Sequence, residues 1–174
     1  MALYYQEKQN FRKPGFWIFV SATMLPVNGV LLYGLYQQLV LGEPWGSEPN
    51  NDISLIVVTL IIMLFSVIIF WLIFNIELVM EIKDKSVHYH FRPFKEKVIN
   101  FSDLLSWEVK SINPIFGFGG FGLRITAKSR AYLVNGKNAL FLKPKKGKQI
   151  VIDTINPEGI QVAMMKEWKR LEEY

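Results

Sequence analysis

The chain contains no cysteine. That excludes a disulfide framework, a zinc–thiolate centre and a thiol nucleophile, and it is compatible with a cytosolic payload. No Ser-His-Asp arrangement or nucleophile elbow is present and no paired carboxylates stand out, so the sequence offers no catalytic constellation. Charge is missing from Ile53 to Phe74 (ISLIVVTLIIMLFSVIIFWLIF): these 22 residues carry none, and only Ser54, Thr59 and Ser66 are polar. As a helix rising about 1.5 Å per residue, the run covers roughly 33 Å, enough for a hydrocarbon core of about 30 Å. A buried helix of a soluble domain rarely lacks a polar face over such a length. The run is therefore expected to span a membrane.

Basic residues are absent between Gln37 and Asp52, a segment that holds Glu43, Glu48 and Asp52. Lys8, Arg12 and Lys13 precede it against Glu7, and Asn75 to Tyr174 carries 17 Lys and Arg against 11 Asp and Glu. The positive-inside rule then puts both termini in the cytoplasm and the acidic loop outside. The expected layout is a basic cytoplasmic lead-in (1–15), transmembrane helix 1 (16–36), an extracytoplasmic loop (37–52), transmembrane helix 2 (53–74) and a cytoplasmic domain (75–174). The first span is interrupted by Pro26, Asn28, Gly29 and Gly34. Such residues are tolerated where neighbours satisfy the backbone. Asn28, costly in lipid, is expected to make one interhelical hydrogen bond; an intramembrane site is the rival reading. A cleaved signal peptide fits poorly, because the run is long for an h-region and has no A-x-A-like cleavage site. Trp17, Tyr33, Tyr36, Trp45 and Trp71 sit near the span ends as an interfacial belt.

From Asn75 the period becomes two. Ile76, Leu78, Met80 and Ile82 alternate with Glu77, Glu81 and Lys83, Asp84-Lys85 makes a turn, and Val87, Tyr89 and Phe91 alternate back. A strand hairpin thus follows the second span without a linker, which would hold the domain against the membrane face. Further strands are expected at about Lys97–Phe101, Ser106–Ile112, Leu123–Thr126, Ala131–Val134, Ala139–Lys143 and Gln149–Asp153. One helical turn is expected at Ser102–Leu105. Asn135-Gly136 is a hairpin signal, and Lys146-Gly147 closes the last hairpin. Asn156, Pro157 and Glu158 start a terminal helix that presents Ile160, Met164, Trp168 and Leu171 on one face, with Lys166, Lys169 and Arg170 outside it. The fold class expected is α+β: a two-helix transmembrane hairpin followed by a pleckstrin-homology-like antiparallel β sandwich or open barrel capped by a C-terminal helix.

Several stretches recur in order with those of an uncharacterised family of short bacterial membrane proteins. They are Gly34-Leu35-Tyr36-Gln37-Gln38 with Leu41-Gly42-Glu43-Pro44, Gly120-Phe121-Gly122-Leu123-Arg124, Ala131-Tyr132 before Asn135-Gly136, and Ile150-Val151-Ile152 with Pro157-Glu158. The chain resembles that family, a transmembrane hairpin fused to a pleckstrin-homology-like domain, over nearly its whole length. It departs in having Phe121 where the family has tryptophan and Gly159 where a second acid is common. The resemblance implies an architecture and no activity.

Four features could carry chemistry. Gly117-Phe118-Gly119-Gly120-Phe121-Gly122 satisfies G-x-G-x-x-G, but a dinucleotide site needs a helix N-terminus after it, and Leu123-Arg124-Ile125-Thr126 reads as a strand. The glycines instead read as a flexible loop, whose Phe116, Phe118 and Phe121 either pack in the core or dip into the bilayer interface. His88 and His90 share a strand face without a third metal ligand nearby. Arg124 could clamp a carboxylate or phosphate, the plainer account being a pair with Glu108. Two basic clusters, Arg92/Lys95/Lys97 and Lys143/Lys145/Lys146/Lys148, suit an anionic leaflet, where each charge contributes about 1 kcal/mol; a solvated turn is the equal alternative.

The resulting expectation is a non-enzymatic, multi-pass protein of the bacterial cytoplasmic (inner) membrane. It would present its domain to a protein partner or to a second copy of itself. The alternative is an anionic-lipid-surface sensor using the basic hairpin tips; an enzyme or small transporter is third. No cofactor, nucleic acid or small-molecule substrate is expected.

Overall fold

Period-two patterning builds a sheet from Leu78, Met80 and Ile82, whose side chains are no more than 1% exposed, while Glu77, Glu81 and Lys83 on the other face stay half-exposed. In the computed structural model, which describes residues 3–12, 14–47 and 49–172, this strand (β2, Glu77–Lys83) turns at Asp84-Lys85 into β3 (Ser86–Phe91), which pairs with β4 (Lys97–Asn100). The chain divides into two units, Met1–Phe11 with Ile76–Tyr174, and Arg12–Asn75. The second of these holds the two long helices, α1 (Pro14–Leu35) and α2 (Asp52–Asn75).

The segment expected as a basic lead-in is instead largely a strand, β1 (Leu3–Asn10). It pairs antiparallel with β2 from Gln9↔Leu78 to Gln6↔Glu81 and completes a four-stranded sheet in the order β1-β2-β3-β4. Its burial alternates, but the buried side chains are Glu7 and Gln9. Two polar residues in the inward positions hide the period from a hydrophobicity reading.

A 3₁₀ turn at Phe101–Asp103, one residue ahead of the helical turn expected at Ser102–Leu105, leads into β5 (Leu104–Ser111). The chain then forms a short helix α3 (Pro114–Phe118), β6 (Gly122–Ile125), β7 (Ser129–Leu133), β8 (Asn138–Pro144) and β9 (Gln149–Thr154). The second sheet has the order β5-β8-β9-β7-β6. Antiparallel pairing throughout was expected, yet β7 and β9 are parallel, from Ser129↔Gln149 to Tyr132↔Ile152. Asn135-Gly136 therefore does not close a hairpin: β9 lies between β7 and β8. Gly147, with φ of 100°, does turn β8 back onto β9.

The two sheets and the terminal helix α4 (Pro157–Glu172) share one core of Leu78, Met80, Ile82, Leu140, Leu142, Ile152, Ile160 and Met164. Neither sheet closes into a barrel. Asn156 caps α4 by accepting the Gly159 N–H at 3.0 Å, and Trp168 meets Phe101 edge-on at 6.3 Å. Leu171, expected on the same face, has its side chain outside the described residues. Glu167, though its side chain is polar, is 1% exposed and accepts the Lys85 N–H at 3.2 Å, tying α4 to the β2–β3 turn.

In the helical unit, α1 continues through a π-helical turn at Tyr36–Val40, past the expected end at residue 36. Both α1 and α2 are long and apolar enough to cross a membrane. Their contacts run in opposite directions along the chain: Trp17 with Phe70 and Phe74, Asn28 with Ser66, Gln38 with Asp52. Asn51 caps α2 through the Ser54 N–H. Trp45 lies flat on Gly34, where a Cβ would come within 2.5 Å of its ring, so this contact requires glycine.

Candidate functional site

The outward face of the first sheet is charged. His88 and His90 share it with Glu77, Glu81, Glu96, Lys8, Lys83 and Arg92 around a shallow depression of about 250 Å³. Acids and bases are matched there and mostly spent on each other: Lys83 on Glu81 at 2.5 Å, Arg92 on Glu77 at 3.3 Å, Glu96 on His88 Nδ1 at 2.8 Å. The hydrogen bond from Lys83 holds the Glu81 carboxyl below its ordinary range. His88 Nε2 meets Ser86 Oγ at 3.1 Å, so both its nitrogens are engaged. Among the described residues, no group of three or more His, Cys, Asp or Glu is arranged to hold a metal ion.

The Gly-rich stretch is built the opposite way from a dinucleotide site. Helix α3 precedes it, capped by Asn113 Oδ1, which accepts the Ile115 and Phe116 N–H groups, and Gly119 ends it with φ of 73°. Gly117 is the last residue but one of that helix; Gly120 and Gly122 carry the chain into β6 with positive φ. The glycines thus lead into a strand, so the helix N-terminus that a phosphate site needs does not follow them. The aromatics divide: Phe118 packs against Ala131, Leu133, Ala139 and Val151, Phe121 touches the Gly136 turn, and Phe116 is 90% exposed. Arg124 lies over Gly120, while Glu108 is taken by Lys110 at 2.7 Å rather than by Arg124.

The two basic clusters differ. At the β8–β9 tip Lys143, Lys145, Lys146 and Lys148 are exposed, and among the described residues no acid pairs with any of them. Lys148 is tied down, donating to the Thr126 carbonyl at 2.7 Å. Around β3–β4, Arg92 is committed to Glu77, whereas Lys95 and Lys97 stand at the mouth of an aromatic pocket between the sheets. Lys97 Nζ donates to Tyr132 Oη at 2.9 Å and lies 5.6 Å from the centre of that ring. Behind it Tyr89 packs on Tyr132 at 5.2 Å; burial, with Tyr132 beside it, pushes the Tyr89 phenol above its ordinary range, so it stays protonated. Asn28 sits in the helical unit, its amide donating to Ser66 Oγ at 3.0 Å and to the Met24 carbonyl at 2.8 Å.

Sequence reasoning missed a buried polar cluster altogether. Asp153, 0% exposed on β9, accepts three backbone N–H groups through Oδ2: Val134 and Asn135 at 2.6 Å and Gly136 at 2.8 Å. This carboxylate holds the β7–β8 turn in place and explains why Asn135-Gly136 bends without forming a hairpin. Beside it Glu7 accepts from Thr154 Oγ1 at 2.7 Å, the Ile155 N–H at 2.8 Å, and the side chains of Tyr5 and Gln9. Gln9 in turn donates to the Asp153 carbonyl at 3.0 Å and accepts from Asn135 Nδ2 at 2.9 Å. Burial raises the Asp153 carboxyl, outweighing the N–H donors that pull it down, and the nearby Glu7 charge adds to the rise. The cluster ties β1 to the end of β9. Most of its polar atoms are spent on one another and on the backbone, which is a structural assignment, while Asp153 Oδ1 and Asn135 Oδ1 are buried with no hydrogen-bond partner among the described residues. The signal that could have found it was the repeated polar residue at every second position, Glu7 and Gln9.

No family model matches the chain, and no curated protein or solved structure matches it either. Function must therefore be read from the residues themselves.

Proposed function

We propose that the chain is a non-enzymatic integral protein of the bacterial cytoplasmic membrane. Its two long helices form a hairpin across the bilayer, and its β-rich unit is a pleckstrin-homology-like interaction domain on the cytoplasmic side, for a protein partner or a second copy. The observation that carries this reading is the insertion of the helical segment between two neighbouring strands. Asn10 of β1 pairs with Glu77 of β2, so the chain leaves the sheet and returns to it at adjacent positions. An out-and-back path from one sheet edge supports an even number of crossings with both helix roots on one side. The apolar side chains of α2 are largely exposed, Leu64 and Phe65 each at 62%, a face that water would penalise and hydrocarbon would not. Two packed sheets with a C-terminal helix support the pleckstrin-homology-like assignment; the parallel β7–β9 pair departs from it.

A cysteine-free chain makes the test direct. With Ser47→Cys and Lys137→Cys introduced singly, a membrane-impermeant maleimide should label Ser47→Cys on intact cells and Lys137→Cys only after lysis. Equal labelling of both on intact cells would sink the topology. Cross-linking the full chain in its membrane should then yield a discrete adduct that survives charge reversal at Lys145 and Lys146; recovery of monomer alone counts against the interaction role. A second reading, association with an anionic lipid surface, is favoured by the exposed lysines of the β8–β9 tip, with which no acid pairs among the described residues.

A further inference from the structure

The aromatic pocket between the sheets has a chemistry of its own. It measures about 230 Å³ and is walled by Tyr89, Phe91, Phe94, Tyr132 and Leu123. The rings meet at 5.2 Å (Tyr89–Tyr132), 5.9 Å (Phe91–Tyr132) and 6.3 Å (Phe91–Phe94), so the wall is a continuous aromatic surface. An apolar cavity of about 150 Å³ suffices for benzene, and drug-sized ligands take about 300 Å³ or more. The space here suits one ring or a short alkyl segment. Phe94 forms one wall while 51% exposed, an aromatic face that an occupant would cover.

The mouth is cationic, and among the described residues no acid forms an ion pair with Lys95 or Lys97. Lys95 and Lys97 are the charged residues lining the pocket, and no carboxylate lines it with them. Tyr132 fixes the Lys97 ammonium by accepting one of its three hydrogens, which leaves two to point at a ligand. An apolar interior with two ammonium groups at its rim matches an anion with a greasy body and repels a cation of the same shape.

We propose that this pocket binds a small anionic amphiphile, its single ring or short alkyl chain between the sheets and its carboxylate or phosphate held by Lys95 and Lys97. The site goes beyond the interaction role and does not require that the helices cross a membrane. The headgroup chemistry is shared by a free fatty acid and by an anionic lipid, and the experiment separates them.

The test uses the full chain in phosphatidylcholine nanodiscs, reading the Leu123 methyl resonances by NMR, because they report the pocket and not partition into the disc. Octanoate should shift them saturably, and octyltrimethylammonium, with the same chain and the opposite charge, should not. Reversing both mouth charges (Lys95→Glu with Lys97→Glu) should weaken octanoate roughly tenfold or more. These are exposed positions, so the variant is expected to fold. Leu123→Trp, which fills the pocket, should abolish the protein-side shift read at a neighbouring Phe91 proton. A Leu123 shift on replacing the disc lipid with phosphatidylglycerol, without octanoate, assigns the ligand to the membrane; octanoate binding without that shift assigns it to the free pool. Absence of a saturable octanoate shift, equal shifts from both octyl probes, or indifference to the charge reversal would each overturn the proposal.

Discussion

Leu64 in α2 and Leu78 in β2 are the same residue fourteen positions apart, yet the first is 62% exposed and the second 1%. The contrast runs through both units. The β-rich unit buries most of its aliphatic side chains and places most of its charge outside, whereas α2 leaves Leu60, Ile61, Leu64, Phe65 and Val67 uncovered and keeps Thr59 and Ser66 inside. Burial in water is worth about 25 cal/mol per Å² of apolar surface, a term that vanishes when the surroundings are themselves hydrocarbon. With the helical unit in a bilayer, as proposed, the two units obey one rule in two solvents. Polar contacts have opposite weights as well: in the helical unit a few hydrogen bonds hold otherwise greasy surfaces, while in the β-rich unit a buried carboxylate organises a turn that hydrophobic packing alone does not specify.

The largest effect should come from that carboxylate. Asp153→Leu strands three backbone N–H groups, each costing about 1–3 kcal/mol when buried and unmet, so denaturant unfolding should show a loss of at least about 3 kcal/mol. Asp153→Asn keeps an acceptor and should cost much less. The pH dependence has a definite sign. Because burial raises the Asp153 carboxyl above its unfolded value, its contribution is fully present below the unfolded carboxylate range and is lost as pH rises through the elevated folded value. The wild-type unfolding free energy should carry this falling component and Asp153→Asn should lack it. Next in size, Met80→Ala opens a cavity in the shared core and should cost about 2–5 kcal/mol, while Leu64→Ala in α2 should cost little in nanodiscs. Equal losses would break the two-solvent comparison.

These residues also mark what was legible beforehand. Strands β2 and β3 were plain because Leu78, Met80, Ile82, Val87, Tyr89 and Phe91 alternate, and α4 because Asn156-Pro157-Glu158 starts it. Strand β1 was not, because Glu7 and Gln9 fill the positions where a core strand shows aliphatic residues, and their burial is made tolerable by Thr154, Ile155 and Asn135, more than 120 residues away. Asn135-Gly136 signalled a hairpin that does not form, because β9 lies between β7 and β8, and no local pattern encodes that insertion. Of the proposed site, the lysines were visible as a cluster; the pocket behind Lys95 and Lys97 was not, since its walls come from β3, the β3–β4 turn, β6 and β7.

A smaller effect sharpens the comparison from the helical side. Asn28→Leu removes the hydrogen bond to Ser66 and should weaken helix association by about 0.6 kcal/mol, and by no more than roughly 1.7 kcal/mol, the range for such bonds in membranes. A loss as large as that of Asp153→Leu would mean that the Asn28 environment is not lipid-like. The smallest change in stability belongs to the β8–β9 tip. Charge reversal at Lys143, Lys145 and Lys146 touches no ion pair among the described residues, so unfolding should move by less than about 0.5 kcal/mol. Its effect should appear elsewhere, as the loss of roughly 1 kcal/mol per lysine in attraction to an anionic surface, steepest at low salt. Measured as the salt dependence of cross-linking between the β8–β9 tip and phosphatidylglycerol in discs holding the full chain, a flat response in both wild type and variant would remove the lipid-surface reading and leave the protein-partner role standing alone.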